Sequence, residues 1–252
     1  MFVDPHLPRE IFGWHSPSLG MHMPIVRYGR WGRALLLFPT AQADFLENER
    51  FYLIKALEPH IFAGKVQVFS IDSINKHAWM NRSVPVPEAA RRQALYSRYV
   101  EDEVAPHIRR CLQDDQARIG VSGASFGAFY AANAFFRKPW IFDTLIAMSG
   151  FYDLEGDYLE GFSNDDVFYN NPIWYLREMQ NHDTLEQYRR NQIHILTGQG
   201  AYEAPWAGKR LSEVLWSKGV PNNLDMWGHD VNHDWPWWRK MLDHYVGGRL
   251  GW

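Results

Sequence analysis

The pentapeptide Gly123-Ala124-Ser125-Phe126-Gly127 sets a serine between two glycines in a G-x-S-x-G spacing. Small flanking residues let a strand turn sharply into a helix, so that a strained serine hydroxyl stands clear of the sheet and can attack a carbonyl. The surroundings suit that chemistry. The pattern follows a short strand-like stretch at 118–121 and opens a helical stretch at 126–137, and Ala124, Ala128 and Ala131 keep the neighbourhood small. The alternative is a βα turn with no chemistry, or a phosphate-binding loop. No lysine follows in a G-K-[ST] order, however, and the spacing is not G-x-G-x-x-G.

A hydrolytic serine needs a base to take its proton and a carboxylate to orient that base. Around such an elbow the chain order is serine, acid, histidine. His229 and His233 both lie in Trp227-Gly228-His229-Asp230-Val231-Asn232-His233-Asp234-Trp235, on a loop before the final helix, with Asn232 and Asp234 as helix-cap candidates. Glu203 closes Thr197-Gly198-Gln199-Gly200-Ala201-Tyr202-Glu203 and is the carboxylate close behind the strand 193–196. Its position favours it over Asp153, which follows an earlier strand, although a glutamate here can also simply start a helix. The oxyanion is expected to meet the backbone N–H of Phe126 and one from the loop after strand 34–38. Pro39 has no N–H, which leaves Thr40 or Ala41.

Gly-Ala-Ser-Phe-Gly, taken with His233-Asp234-Trp235-Pro236-Trp237-Trp238-Arg239, resembles the esterase family that includes S-formylglutathione hydrolase, enterochelin esterase and the mycolyltransferases. The resemblance extends from about residue 10 to residue 246 and implies an α/β-hydrolase fold. Relatives often hold the catalytic histidine in Gly-Gly-His-Asp-Trp, so the resemblance gives that role to His233. Here Val231-Asn232 replace the glycine pair while Gly228-His229-Asp230 retains part of it, which keeps His229 in contention. The mycolyltransferases place a glutamate at the acid position, which favours Glu203. The implied activity is cleavage of a small-molecule carboxylic ester through an acyl-enzyme, with no metal and no organic cofactor. An acyltransferase on the same triad and a non-catalytic binding protein on the same scaffold remain open, and a peptidase has less support.

The elements around these residues fit that fold. Stretches 10–16 and 22–28 flank Ser-Pro-Ser-Leu-Gly and read as an antiparallel hairpin. Apolar runs at 34–38, Val66–Ile71, 144–148, 193–196 and 223–227 read as strands buried on both faces. Helical stretches at 47–58, 87–112, 126–137, 206–218 and 235–246 alternate with them, implying a mainly parallel central sheet flanked by helices. Residues 151–190 break the alternation. They are acidic and aromatic (Asp153, Asp157, Asp165, Asp166) and read as an insertion over the carboxyl edge of the sheet, with Tyr169, Asn170 and Trp174 as candidate substrate contacts. Phe151, Tyr152 and Tyr175 are further ring candidates there.

Composition narrows the partners. The 252 residues are 46% hydrophobic and 22% charged with a net charge of -3, as expected of one globular domain spanning 1–252 and not of a nucleic-acid binder. A single cysteine, Cys111, excludes an internal disulfide. The first ten residues lack a leader's basic and apolar regions, and no apolar run is long enough to span a bilayer, so a cytoplasmic protein is expected. The 12 Trp, 12 Tyr and 15 Phe point to an aromatic-lined pocket or to a ring-rich core. The terminal Gly-Gly-Arg-Leu-Gly-Trp reads as a frayed tail or as a contact of a homo-oligomer.

Overall fold

A computed structural model describes residues 2–252. β1 (Arg9–Ser16) and β2 (Met21–Tyr28) form the expected antiparallel hairpin, in register from Arg9 opposite Tyr28 to Ser16 opposite Met21. Strands and helices then alternate: β3 (Arg33–Phe38), α1 (Glu47–Arg50), α2 (Leu53–Phe62), β4 (Val66–Ile71), α3 (Val86–Arg98), α4 (Ala105–Leu112), β5 (Ile119–Ala124), α5 (Phe126–Arg137), β6 (Phe142–Met148), α6 (Asp165–Phe168), α7 (Pro172–Glu178), α8 (His182–Arg190), β7 (Gln192–Thr197), α9 (Pro205–Ser217), β8 (Asn223–Met226) and α10 (Trp235–His244). All eight strands join one sheet in the order β1-β2-β4-β3-β5-β6-β7-β8. β2 meets β4 antiparallel, and every pairing from β4 to β8 is parallel.

The sheet separates two apolar cores. Along β3, Leu36 and Phe38 face the core shared with α3, α4, α5 and α9, whereas Leu35 and Leu37 face the core shared with α2 and α10. Burial on both faces is why these strands read as unbroken apolar runs. Two helices differ from the sequence reading. The expected helix at 47–58 breaks at Tyr52, whose φ of 62° is left-handed, and resumes as α2. The expected helix at 87–112 passes through a π-helical turn, Tyr99–Val104, between α3 and α4. Pro106 has no N–H for the carbonyl of Asp102, and the ladder widens just before it.

Residues 151–190, between β6 and β7, divide in two rather than covering the sheet edge throughout. Phe151 and Tyr158 pack rings beside the start of α5. α7 instead packs on α5 and α9, and Tyr188 on α8 donates to the carbonyl of Phe136 near the far end of α5.

His194 on β7 lies with its ring 4.9 Å from that of Tyr245, and its buried Nδ1 has no partner among the described residues. Burial, helped by Arg249 and opposed by Asp225, lowers its pKa to about 4. The unfolded chain then takes up a proton near pH ~6.5 that the folded chain refuses, so stability falls as pH drops below that point and levels off below the folded value. Urea unfolding is expected to show a loss of about 3 kcal/mol between roughly pH 7 and pH 4 from this residue, and His194→Gln should remove it.

Candidate active site

β5 delivers Ser125 to the carboxyl edge of the sheet, and α5 leaves directly from it. Ser125 has φ 55° and ψ -120°, a strained conformation for a residue with a side chain. Its amide donates to the carbonyl of Met148 at 3.0 Å, which ties the turn to β6. The two glycines are required by space. A Cβ on Gly123 would lie 2.4 Å from the carbonyl carbon of Gly127, and a Cβ on Gly127 would lie 2.6 Å from the carbonyl oxygen of Phe38. The Ser125 side chain is only half-buried, and its Oγ makes no hydrogen bond among the described residues.

Two loops beyond β7 and β8 are stitched together at the same carboxyl edge of the sheet. Gly200 donates its amide to the carbonyl of Val231 at 2.9 Å, His233 donates to Ala201 at 3.0 Å, and Ala201 donates to Asn232 Oδ1 at 2.8 Å. Gly198 permits this approach, because a Cβ there would sit 2.1 Å from the carbonyl oxygen of Val231. The stitching brings His233 Nδ1 to 3.7 Å from Glu203 Oε2, a charge-pair distance just beyond a direct hydrogen bond. The Glu203 side chain is fully buried, whereas that of His233 is 25% exposed.

Glu203 is also bound from behind. Ser149 Oγ donates to Oε1 at 2.6 Å, and Thr197 Oγ1 donates to Oε2 at 3.2 Å. Ser149 Oγ in turn accepts from Trp238 Nε1 at 3.0 Å, and the Trp238 ring stands edge-on to His233 at 4.9 Å. Serine, glutamate, histidine and tryptophan thus close a loop of contacts. Burial pushes the Glu203 carboxyl up, but the nearby His233 ring and the hydrogen bond from Ser149 outweigh it and hold the carboxyl below its ordinary range.

The other acid and base candidates lie apart from this pair. His229 is exposed and makes no side-chain contact with Glu203 among the described residues. Asp153 pairs with Arg210 at 2.8 Å and accepts from Asn171 at 2.7 Å, anchoring the segment after β6.

The oxyanion loop corrects one expectation. The Thr40 amide donates to Glu47 Oε2 at 2.7 Å while its hydroxyl binds Oε1 at 2.6 Å, so that N–H is taken. Ala41 is exposed, and its amide has no partner among the described residues. Phe126 is the first residue of α5, where an amide has no acceptor within the helix.

The expected substrate contacts are also redistributed. Asn170 is buried, accepts from Ser97 at 2.6 Å and Asn133 at 3.1 Å, and serves as an interior strut. Tyr169 is exposed, but its carbonyl is held by Arg137 in the last turn of α5, roughly 18 Å along the helix axis from Ser125. Trp174 is half-buried against the core beside α7. The rings packed against Phe126, the residue after Ser125, are instead Phe151 and Tyr158. Phe126 meets Phe151 edge-on at 5.1 Å, and Phe151 stacks on Tyr158 at 5.7 Å. Trp79 borders Tyr158 at 6.1 Å. Trp79 and Tyr158 were absent from the sequence reading, because a ring in a loop carries no periodic signal of the direction it faces.

The family model described as "Putative esterase" matches residues 63–248, most of the chain, including Ser125, Glu203 and His233. The chain belongs to this esterase family. Solved structures agree on the fold. A ferulic acid esterase superposes with a TM-score of 0.73 at 16% identity, covering 95% of this chain and 96% of that one. An S-formylglutathione hydrolase (FrmB) from Staphylococcus aureus gives 0.69 at 15% identity, covering 97% and 98%. MPT51 (FbpC1) from Mycobacterium tuberculosis gives 0.70 at 14% identity, covering 97% and 98%. Comparison with curated proteins gives no match. Among the described residues of this esterase-family chain, no cluster of three or more His, Cys, Asp or Glu is arranged to hold a metal ion. No helix there is long and apolar enough to cross a membrane.

Proposed function

We propose that the chain is a serine esterase in which Ser125 is the nucleophile, His233 the base and Glu203 the acid. The observation that carries this reading is the stitched pair of loops, which holds His233 against a buried, ionised Glu203 beyond the same strand edge as the strained Ser125. His233 takes the serine proton as Oγ attacks the ester carbonyl. The Phe126 and Ala41 amides receive the oxyanion, and the intermediate collapses to an acyl-enzyme as the alcohol leaves with the proton from His233. Water, activated by the same histidine, then releases the acid and restores the serine.

The substrate is a carboxylic ester whose acyl part is apolar or flat. Phe151 and Tyr158 offer a ring wall beside the elbow, and rings of this kind hold such groups through area and stacking. Three of the similar structures are of ferulic acid esterases, one of them in complex with ferulic acid, which suits that wall.

Labelling with a fluorophosphonate followed by mass spectrometry tests the reading. One adduct on Ser125 is expected, absent in Ser125→Ala and strongly slowed in His233→Ala. A folded wild type that stays unlabelled would overturn the esterase reading, and normal labelling of His233→Ala would move the base to His229.

A further inference from the structure

At the end of the sheet opposite Ser125, a cavity of about 630 Å³ opens between β2, β3, β5 and the turn after α4. Arg118 precedes β5 and Ser125 follows it, so the strand's length, roughly 20 Å, separates the cavity from the elbow. Arg27, Arg30, Arg33 and Arg118 line it, with Trp31 at its edge. In a chain of net charge -3, four arginines lining one cavity are a local reversal of sign.

These cations are incompletely neutralised. Arg33 holds Asp143 through Nη2 at 2.6 and 2.8 Å. Arg27 spends its donors on Gln67 and on the carbonyl of Arg30, and it reaches Glu10 only at 3.6 Å. Arg30 approaches the same carboxylate at 3.6 Å with 61% of its side chain exposed. Arg118 has no carboxylate within 4.0 Å among the described residues; it donates to the Pro139 carbonyl at 2.6 Å and to Asn191 at 3.1 Å. Asp114 is the one acidic residue among those lining the cavity. Burial, together with the like charges of Arg33 and Arg109, lowers the Arg118 pKa, while Asp143 opposes it. Cations held together at a cost to themselves gain from a multiply charged anion that bridges them.

We propose that this cavity binds a phosphoryl group, at a site separate from the ester chemistry. Planar guanidinium groups present paired N–H donors that match the oxygens of phosphate, whose charge also exceeds that of a single carboxylate. Trp31, 75% exposed, offers a ring face beside the cations. A phosphoryl group that arrives on a nucleotide can stack its base there, whereas free phosphate or pyrophosphate cannot.

Isothermal titration calorimetry on the full chain, with pyrophosphate and with ADP at matched ionic strength, decides the matter. One equivalent of each is expected to bind, and Arg30→Gln and Arg118→Gln should each weaken binding by about tenfold or more. Arg118 touches interior carbonyls, so if that variant misfolds the exposed Arg30 carries the test alone. ADP binding more tightly than pyrophosphate, with the margin lost in Trp31→Ala, supports a nucleotide as the source. Equal binding supports free phosphate chemistry. No binding at millimolar ligand, binding indifferent to the arginine variants, or tighter binding of citrate would overturn the proposal.

Discussion

Ser125→Ala and His233→Ala are each expected to lower kcat on an activated ester by a factor on the order of 10⁶, and the double variant is expected to be no worse than either single one. In the proposed mechanism the two groups act as a unit. Without His233 the Ser125 hydroxyl keeps its proton, and without Ser125 the imidazole has nothing to activate. What survives is the catalysis supplied by the Phe126 and Ala41 amides and by the ring wall, which neither substitution touches. His229→Ala provides the contrast. Its side chain is exposed and apart from Glu203, so kcat should stay within about twofold of wild type. Steady-state hydrolysis of a p-nitrophenyl ester, with circular dichroism to confirm folding, measures all four. A large loss in His229→Ala with little in His233→Ala would reverse the assignment.

The fold was legible because its signals are local. Strands buried on both faces appear as apolar runs, and the elbow announces itself because two glycines must flank a serine where a strand meets a helix. Chain order and the family resemblance together favoured Glu203 and His233 over Asp153 and His229, but neither shows how the acid and histidine loops meet. That depends on Gly198 and Gly200, whose missing side chains let the histidine loop lie against the acid loop. Both glycines stand in plain view in Thr197-Gly198-Gln199-Gly200, yet nothing local identifies Val231 as the residue they must admit.

The errors have the opposite character. The Thr40 amide, expected to face an oxyanion, is instead taken by a side chain seven residues on, for Glu47 captures both its amide and its hydroxyl. Burial pushes the Glu47 carboxyl up against those two bonds, a balance that only packing could reveal. Tyr169 and Asn170 were chosen from a segment rich in rings and amides, and composition says nothing about which way they face. Asn170 turned inward to Ser97 and Asn133, while Phe151 and Tyr158 from the same segment took the wall beside Ser125.

Glu203→Gln is expected to lower kcat by about 10⁴ while leaving the protein folded, because an amide cannot stabilise the imidazolium that forms and can present an N–H where the histidine needs an acceptor. Asp153→Asn removes a carboxylate that pairs with Arg210 and should change kcat by less than about tenfold, so the two substitutions separate the acids decisively. Ser149→Ala then probes how Glu203 is kept ionised. The carboxyl sits below its ordinary range partly through the Ser149 hydroxyl, so its charge is present above the usual carboxylate pKa and is lost only as pH falls through the lower native value. Removing that bond moves the native value up, and the Glu203 carboxyl titration, followed by carbon NMR, should move to higher pH with it. The Trp238 indole N–H loses its acceptor in the same variant, which loosens the ring that stands against His233. Ser149→Thr, which keeps a hydroxyl, should return the carboxyl titration toward wild type. A carboxyl titration that stays in place in Ser149→Ala would show that Thr197 and His233 alone hold the charge, and a Glu203→Gln enzyme with near-normal kcat would remove Glu203 from the mechanism altogether.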